Sequence, residues 1–223
     1  MRTKFLIKTL ITSIVFSLIL FISAGKIYYF QGWFFLVTNI ITGLMNFWTI
    51  KNDDDLMTER SKISNNVKSW DKKILGISAL IYVLNVIIAG LDSGRFHWSP
   101  DFHWSLYAIG FFLTITGQII FLTARKENKY FSSVVRIQTD REHKVCDTGL
   151  YKIVRHPGYL GMTISLISIP LITGSAWCSI TTFIAITLLF VRTYLEDNAL
   201  KKELAGYKEY SENTRNRLIP LIW

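Results

Sequence analysis

Two clusters in the C-terminal half have residue types and spacings suited to binding a charged ligand at a membrane surface. The first is Arg155-His156-Pro157-Gly158-Tyr159-Leu160-Gly161. Proline is favoured in the first turn of a helix, where its missing N–H has no partner to lose, so a helix is expected to start at Pro157. The unpaired N–H groups of that turn form a ready site for an anion such as a carboxylate. Arg155 and His156 stand beside it, Gly158 and Gly161 admit a ligand or another helix, and Tyr151 and Tyr159 offer flat faces to an aromatic ring. The second cluster is Arg192-Thr193-Tyr194-Leu195-Glu196-Asp197. Arg192 and Glu196 are four apart and share a helix face. They end a long apolar run, where ionisable groups are costly unless paired or functional.

The elements that carry these clusters are membrane helices. Half of the 223 residues are hydrophobic, only 18% are charged, and the mean hydropathy is +0.30 beside a net charge of +9. Soluble domains average about 25% charged residues. This pairing excludes a disordered chain, and long uncharged runs exclude a plain polybasic nucleic-acid binder; no nucleic-acid partner is expected. Uncharged runs cover Thr9–Gly25, Ile27–Ile50, Ile74–Leu91, Trp104–Ala124 and Pro157–Val191. As one helix the last would measure about 52 Å against a hydrocarbon core of about 30 Å. Pro170 and Thr173-Gly174-Ser175 therefore predict a hairpin with arms near 157–172 and 176–194. The first run also has the outline of a signal peptide, with basic residues before it and Ser23-Ala24-Gly25 after it. Its length and the second run directly behind it favour a span.

Six spans put the N-terminus, 51–73, 125–156 and 192–223 on one side, with 23 of the 25 Lys and Arg residues. The other side keeps Lys26 and Arg95. The positive-inside rule then makes both termini and both long loops cytoplasmic. The expected fold is all-α: a polytopic transmembrane bundle of about five to six membrane segments including a C-terminal hairpin, with a cytoplasmic cofactor-binding lid. Residues 1–124 would supply four spans, and 125–223 the loop, the hairpin and an amphipathic tail helix built on Leu195, Ala199, Leu200, Leu204 and Tyr207. The outer loop Asp92–His103 is aromatic and reads as an interfacial belt. Cys146 and Cys178 suggest no disulfide framework. His97 and His103 lack companions at familiar zinc spacings, so no metal site is expected.

The order Arg-His-Pro-x-Tyr-x-Gly, hydrophobic hairpin, Arg-x-x-x-Glu, Gly206-Tyr207-x-x-Tyr210 and Arg-x-x-x-Pro220 resembles the isoprenylcysteine carboxyl methyltransferase family, whose wider group includes phospholipid N-methyltransferases. The likeness covers roughly residues 125–220. Glu59-Arg60-Ser61 and Trp70-Asp71-Lys72 are similar to bacterial members. The resemblance implies an integral membrane enzyme, multi-pass and of a bacterial or archaeal inner membrane, that uses S-adenosylmethionine without a Rossmann fold; the missing glycine-rich fingerprint agrees. Carried over by position, the cofactor would meet His143, Lys144, Val145, Cys146, Tyr151, His156, Pro157, Gly158, Tyr159 and Glu196, and Arg192 would face the methyl acceptor. A family glutamine aligns with Arg136, while Gln138 lies two residues later; Gln138 is the expected cofactor ligand, with Arg136 the competing position. The second acidic residue after the last span is Asp197 rather than glutamate.

Methyl transfer from a sulfonium is an in-line displacement in which the protein mainly positions and desolvates the reactants. A carboxylate acceptor needs no base, and Arg192 would hold it by a bidentate pair. Glu196 would bind the cofactor's amino group or balance its positive charge. An amine acceptor would need a base, for which Glu196 and His156 are the candidates. The expected acceptor is a lipophilic small molecule or prenylated substrate carrying a carboxylate, with membrane lipids as the surrounding partners. The rival readings are a phospholipid or amine N-methyltransferase, an NADPH-dependent membrane reductase, and a non-catalytic membrane binding protein. A transporter would be expected to show inverted repeats or broken helices, and the sequence has neither.

Overall fold

The apolar runs become helices in the computed structural model, which describes residues 2–51 and 67–223. They are α1 (Arg2–Ala24), α2 (Phe30–Ile50), α3 (Ser69–Ala89), α4 (Trp104–Glu127), α5 (Pro157–Thr173) and α6 (Cys178–Glu203), followed by the short α7 (Tyr207–Asn213). No strand occurs among the described residues. Four helices in this region are long and apolar enough to cross a membrane: α1, α3 with its extension to Phe96, α4 and α6. α5 is a shorter apolar arm of 17 residues, about 26 Å long. Large apolar side chains such as Leu80, Phe112 and Phe183 are exposed on the bundle surface, as lipid contact requires. Glu59-Arg60-Ser61 and the acidic run Asp53–Asp55 lie outside the described residues.

With no hydrophobic force between helices inside lipid, close packing depends on small residues. α4 and α5 form the most extensive pairing in the molecule. A Cβ on Gly117 would lie 2.5 Å from the Gly161 carbonyl, and one on Gly161 would lie 2.5 Å from the Gly117 carbonyl. The two backbones thus touch directly. Gly90 and Gly94 do the same for α3 against α1. Arg125, buried near the end of α4, donates to the Asn46 side chain (2.9 Å) and carbonyl (3.2 Å) and to Thr49, fixing α4 to α2.

The hairpin turns where the sequence placed it. Gly174 adopts φ +65° and caps α5, and its N–H and that of Ser175 both reach the Pro170 carbonyl, the latter at 3.0 Å. α6 then runs past residue 194 to Glu203. The expected single amphipathic tail helix is divided instead: Gly206 at φ +79° separates α6 from α7. The outer loop holds more than an aromatic belt. α3 passes into a π-helical turn, Gly90–Phe96, that buries Asp92. Its carboxylate accepts from the Ser99 N–H (2.7 Å) and hydroxyl (2.6 Å), the Ser175 hydroxyl (2.6 Å) and the Trp177 N–H (3.3 Å), tying the loop to the hairpin turn.

The segments around 67–68, 128–156 and 204–217 meet at one end of the bundle, where Lys68 N–H reaches the Val135 carbonyl (3.2 Å) and its ammonium reaches Glu203 (2.6 Å). The turns at 25–29, 97–103 and 174–177 lie at the opposite end.

Candidate active site

At the loop end, the start of α5, the last turns of α6, the 128–146 segment and the tail enclose a narrow cavity of about 100 Å³. Its wall includes Arg136, His143, Lys144, Val145, Cys146, Tyr151, His156, Gly158, Tyr159 and Glu196. These come from stretches up to 60 residues apart in sequence. Pro157 starts α5 as expected but is buried behind the wall. Gln138 is also buried away from it. Its amide nitrogen donates to the Tyr130 carbonyl (2.6 Å) and its oxygen accepts from Arg141 (2.9 Å), so both ends serve the loop. Arg136, held to Asp140 at 2.8 Å, is the one of the two competing positions that lines the cavity. Gln138, the expected cofactor ligand, does not line this cavity.

The electrostatics follow from enclosure. Burial, helped by the Arg136 and Arg141 guanidinium groups, pushes His143 down to about 4, so its ring is neutral at pH 7 and packs against Tyr130 at 4.5 Å. Burial raises the Cys146 thiol and keeps it protonated. It also raises Tyr151 and Tyr207, the latter further through the nearby Asp197 carboxylate.

Arg155 does not face an incoming anion. Its Nε and Nη2 grip Asp197 at 2.7 and 3.0 Å, and its Nη1 reaches the carbonyls of Thr214 (2.8 Å) and Arg215 (2.7 Å). Asp197, fully buried, also receives Arg217 Nε (3.0 Å), the Tyr207 hydroxyl (3.0 Å) and His156 Nε2 (3.3 Å). The N–H groups of Arg155 and His156 donate to the carbonyls of Asn216 and Arg217, each at 2.9 Å. Arg155 and Asp197 therefore pin the tail against the start of the hairpin. The sequence marked Asp197 only as a departure from a family pattern, and the structure makes it the hub of this network.

A second cavity, about 460 Å³ and mainly apolar, lies among α2, α4 and α5. Its wall extends along α5 from Tyr159 to Ile172, about 20 Å of helix. Arg192 closes it at the end facing the first cavity. Phe131, Ser132 and Tyr159 belong to both walls. The Tyr159 hydroxyl donates to Glu196, its ring stacks with His156 at 5.8 Å, and the Arg192 guanidinium lies 5.3 Å from its centroid.

Arg192 and Glu196 do share a face, but each takes another partner. Arg192 Nε and Nη2 bind Asp71 at 2.7 and 3.3 Å, and Nη2 also donates to the Ser133 carbonyl (3.0 Å). The fork expected to grip an acceptor carboxylate is thus occupied by Asp71. Nη1 makes no hydrogen bond among the described residues. Asp71, fully buried in the first turn of α3, also accepts from the Val135 N–H (2.8 Å). Sequence reasoning passed over it as a site residue. The available signals were the likeness of Trp70-Asp71-Lys72 to bacterial members and an acid opening an apolar helix, which more often just complements the helix dipole.

Comparison with known proteins finds relatives of the C-terminal half of the chain. Residues 106–202 match the model of the isoprenylcysteine carboxyl methyltransferase family. Probable protein-S-isoprenylcysteine O-methyltransferases of Oryza sativa subsp. indica and subsp. japonica are each 26% identical over 123 residues, covering 52% of this chain and 62% of theirs. Protein-S-isoprenylcysteine O-methyltransferase B of Arabidopsis thaliana is 30% identical over 90 residues, covering 40% of this chain and 41% of its own. The chain thus spans less than two thirds of the length of these curated relatives. The matched stretch contains α4, the loop wall, both hairpin arms, Tyr159, Arg192 and Glu196. Residues 106–202 are thus similar to the isoprenylcysteine carboxyl methyltransferase family.

Proposed function

We propose that the protein is an integral membrane methyltransferase that uses S-adenosylmethionine to O-methylate the carboxylate of a lipophilic, isoprenylcysteine-like acceptor. The observation that carries this reading is the meeting of two unlike cavities at Tyr159: one with a mixed polar and aromatic wall beneath the loops, the other mainly apolar and sunk among the helices. Such a junction suits a polar donor arriving from water and a lipidic acceptor arriving from the bilayer. The first cavity fits the cofactor chemically. Tyr130, Phe131, Tyr151, Tyr159, Tyr207 and Tyr210 present aromatic faces, which attract cations, and Glu196 supplies the carboxylate.

The residues of this wall would hold S-adenosylmethionine, which would supply an activated methyl group, its C–S bonding pair remaining on sulfur when the acceptor oxygen took the methyl. Glu196 balances positive charge in the cavity. Tyr159 stands where donor and acceptor meet and keeps their approach in line. Arg192, locked by Asp71, offers Nη1 as a single donor to the acceptor carboxylate. Phe131 and Leu200 keep water from the junction. The loop end, with its excess of basic residues, is assigned to the cytoplasm of a bacterial or archaeal inner membrane. Residues 1–124 are assigned as the helical frame and 125–223 as the methyltransferase core.

The test is transfer of labelled methyl from S-adenosylmethionine by the purified chain to prenyl-cysteines, fatty acids and phospholipids, with calorimetric titration of S-adenosylmethionine against NADPH. Label in prenyl-cysteine or fatty-acid esters is expected. Label only in phospholipid amines, or affinity for NADPH alone, would refute the proposal.

A further inference from the structure

At the end of the bundle away from the active site, α1 and α2 leave a second apolar groove of about 450 Å³. Ile14, Leu18, Phe21, Ile22, Trp33 and Leu36 line it, and Lys26 stands among its wall residues beyond the end of α1. From Ile14 to Ile22 the groove follows about 12 Å of helix. Lys26 and Arg95 are the two Lys or Arg residues outside the basic segments of the loop end. Sixty-nine positions apart in sequence, they converge on one spot. The Arg95 guanidinium lies so close over Gly25 that a Cβ there would stand 2.9 Å from its Nη2, and that nitrogen donates to the Ile22 carbonyl (2.8 Å). The Lys26 ammonium is 3.4 Å from His97 Nε2. Neither cation has a carboxylate partner among the described residues. Asp92, nearby in sequence, is enclosed and bonded to Ser99, Ser175 and Trp177.

An apolar groove open to lipid, with two unpaired cations at its mouth, is complementary to one molecule in particular. We infer that this groove is a binding site for an anionic phospholipid, whose headgroup phosphate meets Lys26 and Arg95 and whose acyl chain lies between α1 and α2. The exposed Trp33 indole, held by its N–H to the Ile27 carbonyl (3.0 Å), forms the rim at headgroup depth. The net negative charge, not the chain alone, selects the ligand, because a zwitterionic headgroup brings its own cation to the cluster.

Native mass spectrometry of the full chain in detergent, titrated with phosphatidylglycerol, tests this. The tightest site should prefer phosphatidylglycerol to phosphatidylcholine. Lys26→Gln should weaken it about fivefold, the worth of one basic residue near a lipid surface. Leu18→Trp fills the groove while keeping both cations, and should also weaken it. Lys208→Gln, an exposed change at the other end, should leave it unaltered. Equal binding of the two lipids, a site indifferent to both Lys26→Gln and Leu18→Trp, or equally tight binding of glycerol 3-phosphate without a chain would overturn the inference.

Discussion

Replacing Asp71 by Asn tests whether the first half of the chain positions the chemistry of the second. The side chains of Asp71 and Arg192 are 0% and 7% exposed, and their contact joins α3 to α6 across 121 positions. Removing one partner of a buried ion pair costs about 3–5 kcal/mol, because the other charge remains without compensation. Asparagine keeps one oxygen to accept from Val135 or Arg192, and a hydrogen bond to a charged group is worth about 1.5–3 kcal/mol. The expected loss of stability is therefore about 2–4 kcal/mol, read from thermal unfolding in detergent. Methyl transfer should fall at least tenfold through kcat as the guanidinium loses its fixed orientation. S-Adenosylmethionine affinity should stay within about threefold, since Asp71 does not line the first cavity. A cycle of Asp71→Leu with Arg192→Met isolates the pair. The double variant Asp71→Leu/Arg192→Met should recover much of the stability lost by either single variant, but none of the activity. Additive losses in that cycle, or full activity in Asp71→Asn, would refute the assignment.

Glu196→Gln and Tyr159→Ala should each weaken S-adenosylmethionine binding about tenfold or more by calorimetry, through a lost charge-assisted bond; unchanged affinity in both would remove the first cavity as the cofactor site. Gly161→Val should prevent the folded state from accumulating, because its Cβ would enter the α4 backbone, whereas Gly76→Ala, with open space around it, should stabilise α3 by up to about 1 kcal/mol. His143 is lowered in the fold from its ordinary 6.5 to about 4, so the unfolded chain binds the extra proton first. Its contribution is complete above pH 6.5 and is lost as pH falls from 6.5 toward 4. Unfolding midpoints across that window should slope less steeply in His143→Gln, and identical slopes would exclude His143 as their source.

Periodicity and charge gave the helices because a bilayer imposes length and apolarity on each span separately. The hairpin was legible at Pro170 and Gly174, since turn chemistry is local. The wall of the first cavity was largely legible too, through a motif that runs along the chain. Contacts fixed by tertiary packing were not. Arg192 and Glu196 four apart suggest a pair, yet burial gives Arg192 to Asp71 and Glu196 to Tyr159. Nothing local distinguishes Gln138 from Arg136, because which side chain reaches a cavity depends on how the loop folds over Tyr130 and Arg141. The division of the tail at Gly206 was visible as a glycine, but the apolar stripe running through it concealed the break.

On the proposed function, the placement of charge around Tyr159 would let a carboxylate acceptor and a sulfonium donor share the same junction. An arginine buried alone at the head of an apolar cavity would be costly, and it would hold any carboxylate that entered. Pairing it with Asp71 neutralises it and leaves Nη1; on the proposed function an acceptor would be oriented by one donor, and its ester product, having lost its charge, would have little to retain it. Glu196 makes no ion pair among the described residues and lies on the side of the aromatic cavity, bonded to Tyr159. On the proposed function it would favour a cationic donor over the neutral thioether left after transfer. Each partner would thus be held more strongly before the methyl moves than after. This asymmetry requires Asp71 from α3 and the Asp197-pinned tail as well as residues 106–202, so the junction is a property of the whole helical frame.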